Sequence, residues 1–382
     1  MPTAPVLVTG ATGFIGREVV RRLLAVGRSV LVLVRGRTGE PATDRVAATV
    51  GLAPDDQRLS VVEGDLSLPG CGLGASHWTR LGESVETVIH CAGETRFFPG
   101  DMTLFRAGHI DGPLDLLNGL GRGRLRRWAQ LSTAYVCGRR SGVVLESEGD
   151  VGQEFHNPYE RVKLEVEAAV RREGARLGVD VRVFRPAIVV GAAPPTPGGN
   201  PANLFLEFIR LVAALAHLVN GTELPLRIRA APRARFNIVP VDYVAAAVVA
   251  LTEYPDGAGE IFHVVASDAP TQAAMLDMIA ERFGLTGLSL VDSGEGALVD
   301  PSPPERRVER MLSAYREYLE QDVRFDDTAC RRLLDRCGVP PATLSREAVH
   351  RLIDQALVTP AARDRSWRLA VHDVTRSVKE AG

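Results

Sequence analysis

Residues 4–16 read APVLVTGATGFIG and continue as REVVRRLLAVG. An apolar strand pattern thus ends in Thr9-Gly10-Ala11-Thr12-Gly13-Phe14-Ile15-Gly16 and opens directly into a helical one. Few folds satisfy this, because each glycine has a task in a strand–turn–helix unit. Gly10 permits the tight turn, Gly13 lets the backbone approach a pyrophosphate, and Gly16 allows close helix–strand packing. The helix N-terminus then meets the pyrophosphate charge. Thr12, Phe14 and Ile15 belong to the same expected dinucleotide-binding loop.

Downstream, short β-branched runs alternate with helical stretches. Strands are expected at Pro5–Thr9, Ser29–Arg35, Leu59–Glu63, Thr87–His90, Trp128–Ser132 and Val181–Phe184. This alternation predicts an α/β fold, a Rossmann-like doubly wound parallel sheet with helices on both faces. The Pro/Gly-rich GAAPPTPGGNP at 191–201 reads as a loop, and LFLEFIRLVAALAHLV at 204–219 follows it. That run carries Glu207, Arg210 and His217, too much charge in too short a stretch to span a bilayer. It is expected to be an amphipathic helix lining a substrate pocket. FNIVPVDYVAAAVVALT at 236–252 and EIFHVVA at 260–266 look like a return to the sheet, and the remainder reads mainly as helices. The expected division is a nucleotide-binding domain, 1–190 plus 236–266, and a smaller, mainly helical C-terminal substrate subdomain, 191–235 plus 267–382.

A net charge of −2 argues against a nucleic-acid partner, and the local GRGRLRRW at 121–128 reads as a solvated helix end or loop. Cysteines 71, 91, 137, 330 and 337 form no Cys-x-x-Cys, and the histidines show no ligand spacing, so no metal site is expected. The odd cysteine count, and a strand that begins too early to leave room for a signal peptide, predict a cytoplasmic location. No carrier-protein or adenylation segment is recognisable, which suggests a stand-alone unit.

The second strand ends LVLVRGR. An acidic residue there would hold the adenine ribose hydroxyls; Arg35 and Arg37 suit a 2′-phosphate, which favours NADP(H) over NAD. Asp65, followed by Leu66, is placed to accept from the adenine amine. Cys91-Ala92-Gly93 are small enough to let the cofactor cross the sheet edge.

NPYERVK at 157–163 supplies the chemistry. Asn157 is a favoured N-cap, Pro158 fits the first helical position, and Glu160 stands where a capping-box acid would. A helix from about 158 to 172 puts Tyr159 and Lys163 on one face near its positive end. Cation and dipole both favour the phenolate, so Tyr159 is expected to work as an acid or base nearer neutral pH. Such a pair also occurs by chance in many helices.

TGATGFIG, GDL, the HCAG strand end, STAYVCG, YERVK and VFRPAIVVG follow the order and spacing of the extended short-chain dehydrogenase/reductase superfamily. GLGASHWTRL, STAYVCG, NPYERVKLEVE, RPAIVVG and FNIVPVDYV resemble more closely its thioester reductase branch, which includes fatty acyl-CoA reductases and the reductase domains of carboxylic acid reductases. The resemblance covers roughly residues 4–266, and YREYLEQDVRFD is similar to tails of acyl-reductase relatives. It implies that Thr133, with Ser132 as its backup, Tyr159 and Lys163 are catalytic, that Lys163 also holds the nicotinamide ribose, and that Pro186 and Ala187–Val189, Ile188 among them, lie by the nicotinamide amide. His109 stands where relatives carry an Asn that supports a water chain to the Lys; it either replaces that Asn, alters the relay or is structural.

The pocket is expected between the strand ends and the helices of 192–235 and 266–382, with Phe97, Phe98, Phe205 and Phe208 as candidate walls. Arg96 and the arginines of RIRAAPRAR (227–235) are candidates for a CoA or phosphopantetheine phosphate, or solvated loop residues. The resemblance implies NADPH-dependent reduction of an acyl thioester, presented by CoA or a carrier protein, to an aldehyde or alcohol. Competing readings are an NADP-dependent ketone or alcohol oxidoreductase, a nucleotide-sugar epimerase, and a non-catalytic NADP-binding scaffold. The oligomeric state stays open.

Overall fold

The computed structural model describes residues 4–191, 204–218 and 223–358. Its strands begin with β1 (Val6–Thr9), β2 (Val30–Val34), β3 (Leu59–Glu63), β4 (Thr87–His90), β5 (Arg127–Leu131), β6 (Gly142–Val144) and β7 (Asp180–Pro186). They continue with β8 (Ile188–Val190), β9 (Glu223–Ala230), β10 (Ile238–Pro240), β11 (Ile261–Val264), β12 (Thr286–Asp292) and β13 (Val323–Phe325). The helices are α1 (Phe14–Ala25), α2 (Ala42–Val50), α3 (Ala75–Ser84), α4 (Met102–Arg106), α5 (Gly112–Gly121), α6 (Pro158–Leu177) and α7 (Leu204–Leu218). After them come α8 (Val241–Glu253), α9 (Gln272–Phe283), α10 (Pro303–Met311), α11 (Arg316–Glu320), α12 (Thr328–Arg336) and α13 (Arg346–Val358).

The main sheet has seven strands in the order β11-β7-β5-β4-β1-β2-β3. All its pairings are parallel. VLVT of β1 and VLVLV of β2 are buried throughout, as strands covered on both faces must be. The chain starts in the middle, runs outward through β2 and β3, then returns to β4 on the other side of β1. At such a reversal the loops leave opposite ways, and a crevice opens beyond the carboxyl ends of the strands. The six expected strands lie within two residues of the observed ones, and EIFHVVA supplies the seventh.

Three two-stranded parallel pairs were not legible in the sequence: β6 with β13, β8 with β10, and β9 with β12. RIRAAPRAR corrects the loop reading, because Arg227–Ala230 close β9, where Leu224, Leu226, Ile228 and Ala230 alternate inward. One apolar core runs from Val6 and Val8 in the sheet to Ile353 and Ala356 in α13. Within it α7 buries Phe205, Leu206, Ile209, Leu211, Val212 and Leu215, and packs on α9 and α13. The expected pocket helix is therefore mainly a core helix. Its Phe208 lines a cavity of about 40 Å³ together with Phe236, Met275, Ile279 and Leu319. That is well below the roughly 150 Å³ that accepts a benzene ring. Beyond Gly191 the Pro/Gly-rich segment lies outside the described residues. No helix among the described residues is long and apolar enough to cross a membrane.

Candidate active site

The glycine turn sits at the crevice. Gly10 has φ +69°, and a Cβ there would stand 2.7 Å from the Ala92 nitrogen at the end of β4. A Cβ on Gly16 would stand 2.2 Å from the Gly10 carbonyl oxygen, so helix and turn meet backbone to backbone. Gly13 is the N-cap of α1 and provides no side chain to cap it. The first-turn N–H groups therefore point outward unpaired by any cap, which suits a pyrophosphate. Thr12, Phe14 and Ile15 are half-buried around this turn. These residues fit a dinucleotide.

At the end of β2, Arg35 and Arg37 are both exposed. Arg37 lies 3.9 Å from Glu40. A Cβ on Gly36 would be 2.7 Å from Glu63 Oε2, so carboxylates share this corner with the two cations. Asp65 spends Oδ1 on its own turn, accepting from Ser67 N at 2.9 Å and Ser67 Oγ at 2.7 Å. Leu66 packs against α5, where its carbonyl oxygen stands 2.0 Å from a Cβ built on Gly112. Pro186 ends β7 and Ile188 opens β8, placing both at the carboxyl edge of the sheet.

Cys91 and Ala92 follow β4 and are held by β1: Cys91 N donates to Thr9 O at 3.3 Å and Ala92 N to Thr9 Oγ1 at 3.2 Å. The Thr9 hydroxyl also pairs with His90 Nδ1 at 3.0 Å. Burial first, and then the Lys163 charge, pull His90 down to about 3, so it is a neutral partner. Gly93 is small for a visible reason. A Cβ there would lie 2.8 Å from His109 Cε1 and 3.3 Å from Lys163 Nζ.

Helix α6 carries the expected pair. Asn157 Oδ1 accepts from Glu160 N at 3.1 Å, the N-cap bond that the sequence predicts. Glu160 does not close a capping box: its carboxylate accepts from His156 N at 2.9 Å, one residue further back. Lys163 Nζ donates to Leu131 O at 3.1 Å and stands 5.9 Å from the centre of the Tyr159 ring. Burial lowers its pKa to about 8, with Glu167 opposing. Tyr159 corrects the expected phenolate: burial, then the Glu160 charge, raise its pKa above the ordinary value. In this enclosed place desolvation of the phenolate outweighs the neighbouring cation and helix end.

Thr133 caps the short 3₁₀ turn Ala134–Cys137, its Oγ1 accepting from Tyr135 N at 3.3 Å. The hydroxyl keeps its own proton to donate. Ser132 Oγ beside it is buried with no hydrogen-bond partner. His109 lies on a π-turn, Ala107–Asp111, between α4 and α5. Its Nε2 meets Glu94 N at 3.1 Å and Glu94 O at 3.0 Å, and its ring lies 6.3 Å from that of Tyr159. It is buried and pulled down to about 3, so it enters the site as a neutral imidazole.

The wall beside Tyr159 is aromatic. Phe97 lies 6.4 Å from Tyr159, 5.7 Å from Tyr315 and 5.6 Å from Tyr318. Phe98 is 64% exposed, whereas Phe205 is core. Arg96 pairs with Glu94 at 3.0 Å, Arg227 with Glu305 at 2.8 Å and Arg229 with Glu320 at 2.6 Å. The YREYLEQDVRFD resemblance drew attention to the stretch that holds Tyr315 and Tyr318, but nothing in the sequence placed either ring at the site, and nothing signalled the His90–Thr9 pair. Among the described residues no group of three or more His, Cys, Asp or Glu could hold a metal ion.

The family model described as male sterility protein matches residues 8–248. The chain is 31% identical over 233 residues to peramine synthetase A of Epichloe festucae, an alignment covering 57% of this chain and 8% of that protein. It is 26% identical over 272 residues to a carboxylic acid reductase of Segniliparus rugosus, covering 64% of this chain and 23% of that protein. The chain thus spans a small part of the length of these relatives. Its fold superposes with TM-score 0.73 on the terminal R domain from the myxalamid PKS-NRPS biosynthetic pathway, at 21% identity over 93% of this chain and 91% of that one. The chain belongs to the male sterility protein family, NAD(P)-dependent oxidoreductases of the extended short-chain dehydrogenase/reductase type.

Proposed function

We propose that this chain is an NADPH-dependent reductase that delivers hydride to an acyl thioester, carried on CoA or a carrier protein, and releases an aldehyde or alcohol. One observation carries the reading. Lys163 on α6 is hydrogen-bonded to the end of β5, two residues before Thr133, and Tyr159 lies beside Lys163 under an aromatic wall. The likeness to a carboxylic acid reductase and to peramine synthetase A supports the thioester class.

When bound, the reduced nicotinamide supplies the hydride. As the substrate carbon becomes tetrahedral, its oxygen turns negative. Thr133 donates its free hydroxyl proton in a hydrogen bond, and Tyr159 donates and then transfers its own. The raised pKa of Tyr159 suits this direction, because a reductase needs the phenol to begin protonated. The resulting hemithioacetal collapses, the C–S bond breaks, and the thiol leaves with an aldehyde; a second hydride and proton give the alcohol. Lys163 keeps a positive charge beside the phenol, and Gly10–Gly16 with Asp65, Leu66, Cys91–Gly93, Pro186 and Ile188 hold the cofactor. Arg35 and Arg37 take the 2′-phosphate. Residues 1–190 plus 236–266 then form the cofactor domain, and the remainder forms the substrate side.

The test is NADPH oxidation with acyl-CoA and acyl-carrier thioesters of varied length. Wild type turns over, while Tyr159→Phe loses roughly 10²–10⁴-fold in kcat/KM yet binds NADPH as before. Turnover of free ketones alone would leave a ketone reductase in place of a thioester reductase. Equal rates for wild type and Tyr159→Phe would remove Tyr159 from the chemistry.

A further inference from the structure

Tyr318 lies on α11, outside the matched family region, yet it is bonded to the turn that presents Tyr159. Its hydroxyl donates to Glu160 Oε1 and accepts from Asn157 Nδ2 at 2.7 Å. Asn157 and Glu160 flank Tyr159 in the chain, so one phenol hydroxyl bridges the residues on both sides of the other phenol. Glu160 is fully buried, and His156 Nδ1 lies 3.0 Å from both its carboxylate oxygens. The Tyr318 ring also stacks 4.7 Å from His156 and 5.6 Å from Phe97.

The first turn of a helix is where such a lock matters. Its N–H groups lack intrahelical acceptors, and helix ends fray. Tyr159 sits in that turn. Buried polar groups in a satisfied network hold one geometry firmly. Displacing a reacting group by about 1 Å can cost on the order of 10²-fold in rate.

We infer that Tyr318 is a positioning residue: by bridging Asn157 and Glu160, its hydroxyl locks the first turn of α6 and so fixes Tyr159 against the reacting carbonyl. The inference rests on the reading of Tyr159 as proton donor given above. It makes the C-terminal segment around α11 a working part of the site rather than a separate cover.

Tyr318→Phe tests this, because it keeps the ring on Phe97 and removes only the hydroxyl. Hydrogen exchange by mass spectrometry on the full chain is expected to show amides of residues 156–163 exchanging roughly tenfold faster, with the sheet strands unchanged. On any substrate that wild type reduces, kcat falls roughly tenfold, whereas KM and the NADPH dissociation constant move less than about twofold. Glu160→Gln replaces the charged acceptor of the Tyr318 hydroxyl by a weaker neutral one, and its effect on kcat combined with Tyr318→Phe is expected to be less than the product of the two single effects, since both weaken one link. Unchanged exchange at 156–163, an unchanged kcat, or purely multiplicative effects would each overturn the lock. The exchange measurement needs no turnover, so failure of the lock is told apart from failure of the proton-donor reading, which Tyr159→Phe reports alone.

Discussion

Lys163 shows what burial does to a single side chain. Its pKa lies near 8 in the folded protein against 10.5 in the open chain, because the ammonium is desolvated more than Glu167 and Cys91 compensate. The folded state therefore binds fewer protons than the unfolded one between those values, and stability rises with pH across that window; below about 8 the penalty is complete. Lys163→Met removes the titration. Relative to that variant, wild type is expected to gain up to about 3 kcal/mol as pH rises from 8 to 10.5. Denaturant unfolding at several pH values measures it, and a gap that stays constant would contradict the assignment. Arg35→Asp belongs to the same scale. Arg35 is exposed in a corner that also holds Glu40 and Glu63, so one reversal tips the local charge. It is expected to weaken NADPH binding tenfold or more and NADH binding little; equal losses would refute the 2′-phosphate role.

At the scale of elements, the site depends on how helices are held at their ends. Helix α6 is tied beneath by a buried bidentate pair, Arg185 to Glu167 at 3.0 Å and 2.6 Å. Helix α12 is tied by Glu146, which accepts from Ala329 N at 2.7 Å, Cys330 N at 3.1 Å and His263 N at 2.9 Å. Burial outweighs those donors and pushes Glu146 up to about 7, and Asp326 adds to the rise. Its folded pKa thus exceeds the ordinary 4.5, so its contribution to stability is whole below 4.5 and is lost as pH rises through 7. The thermal midpoint of Glu146→Gln should therefore fall less than that of wild type between about pH 5 and pH 8, by calorimetry. Parallel curves would place the ionisation elsewhere.

At the scale of the molecule, one apolar core joins β1 to α13. The parallel pair of β13 with β6 ties the C-terminal part of the chain to the N-terminal part. Separate melting of a cofactor domain and a substrate subdomain is therefore not expected. Calorimetry should show one cooperative transition, with calorimetric and van't Hoff enthalpies agreeing; two resolved transitions would mean that the shared core is weaker than its continuity implies.

The strands of the main sheet, the glycine turn and the placing of Tyr159 with Lys163 were legible in the residues because each rests on local rules: short β-branched runs between helical stretches, glycine's backbone freedom and the spacing of one helical turn. Tertiary structure decided what depends on distance along the chain. It brought Tyr315 and Tyr318 to Phe97, His90 to Thr9 and Arg185 to Glu167. It turned RIRA from an expected loop into a strand by giving it Thr286–Asp292 as a partner. It also reversed the expected shift of Tyr159, since a cation one turn away is visible in a sequence, whereas the water excluded from around a phenol is not.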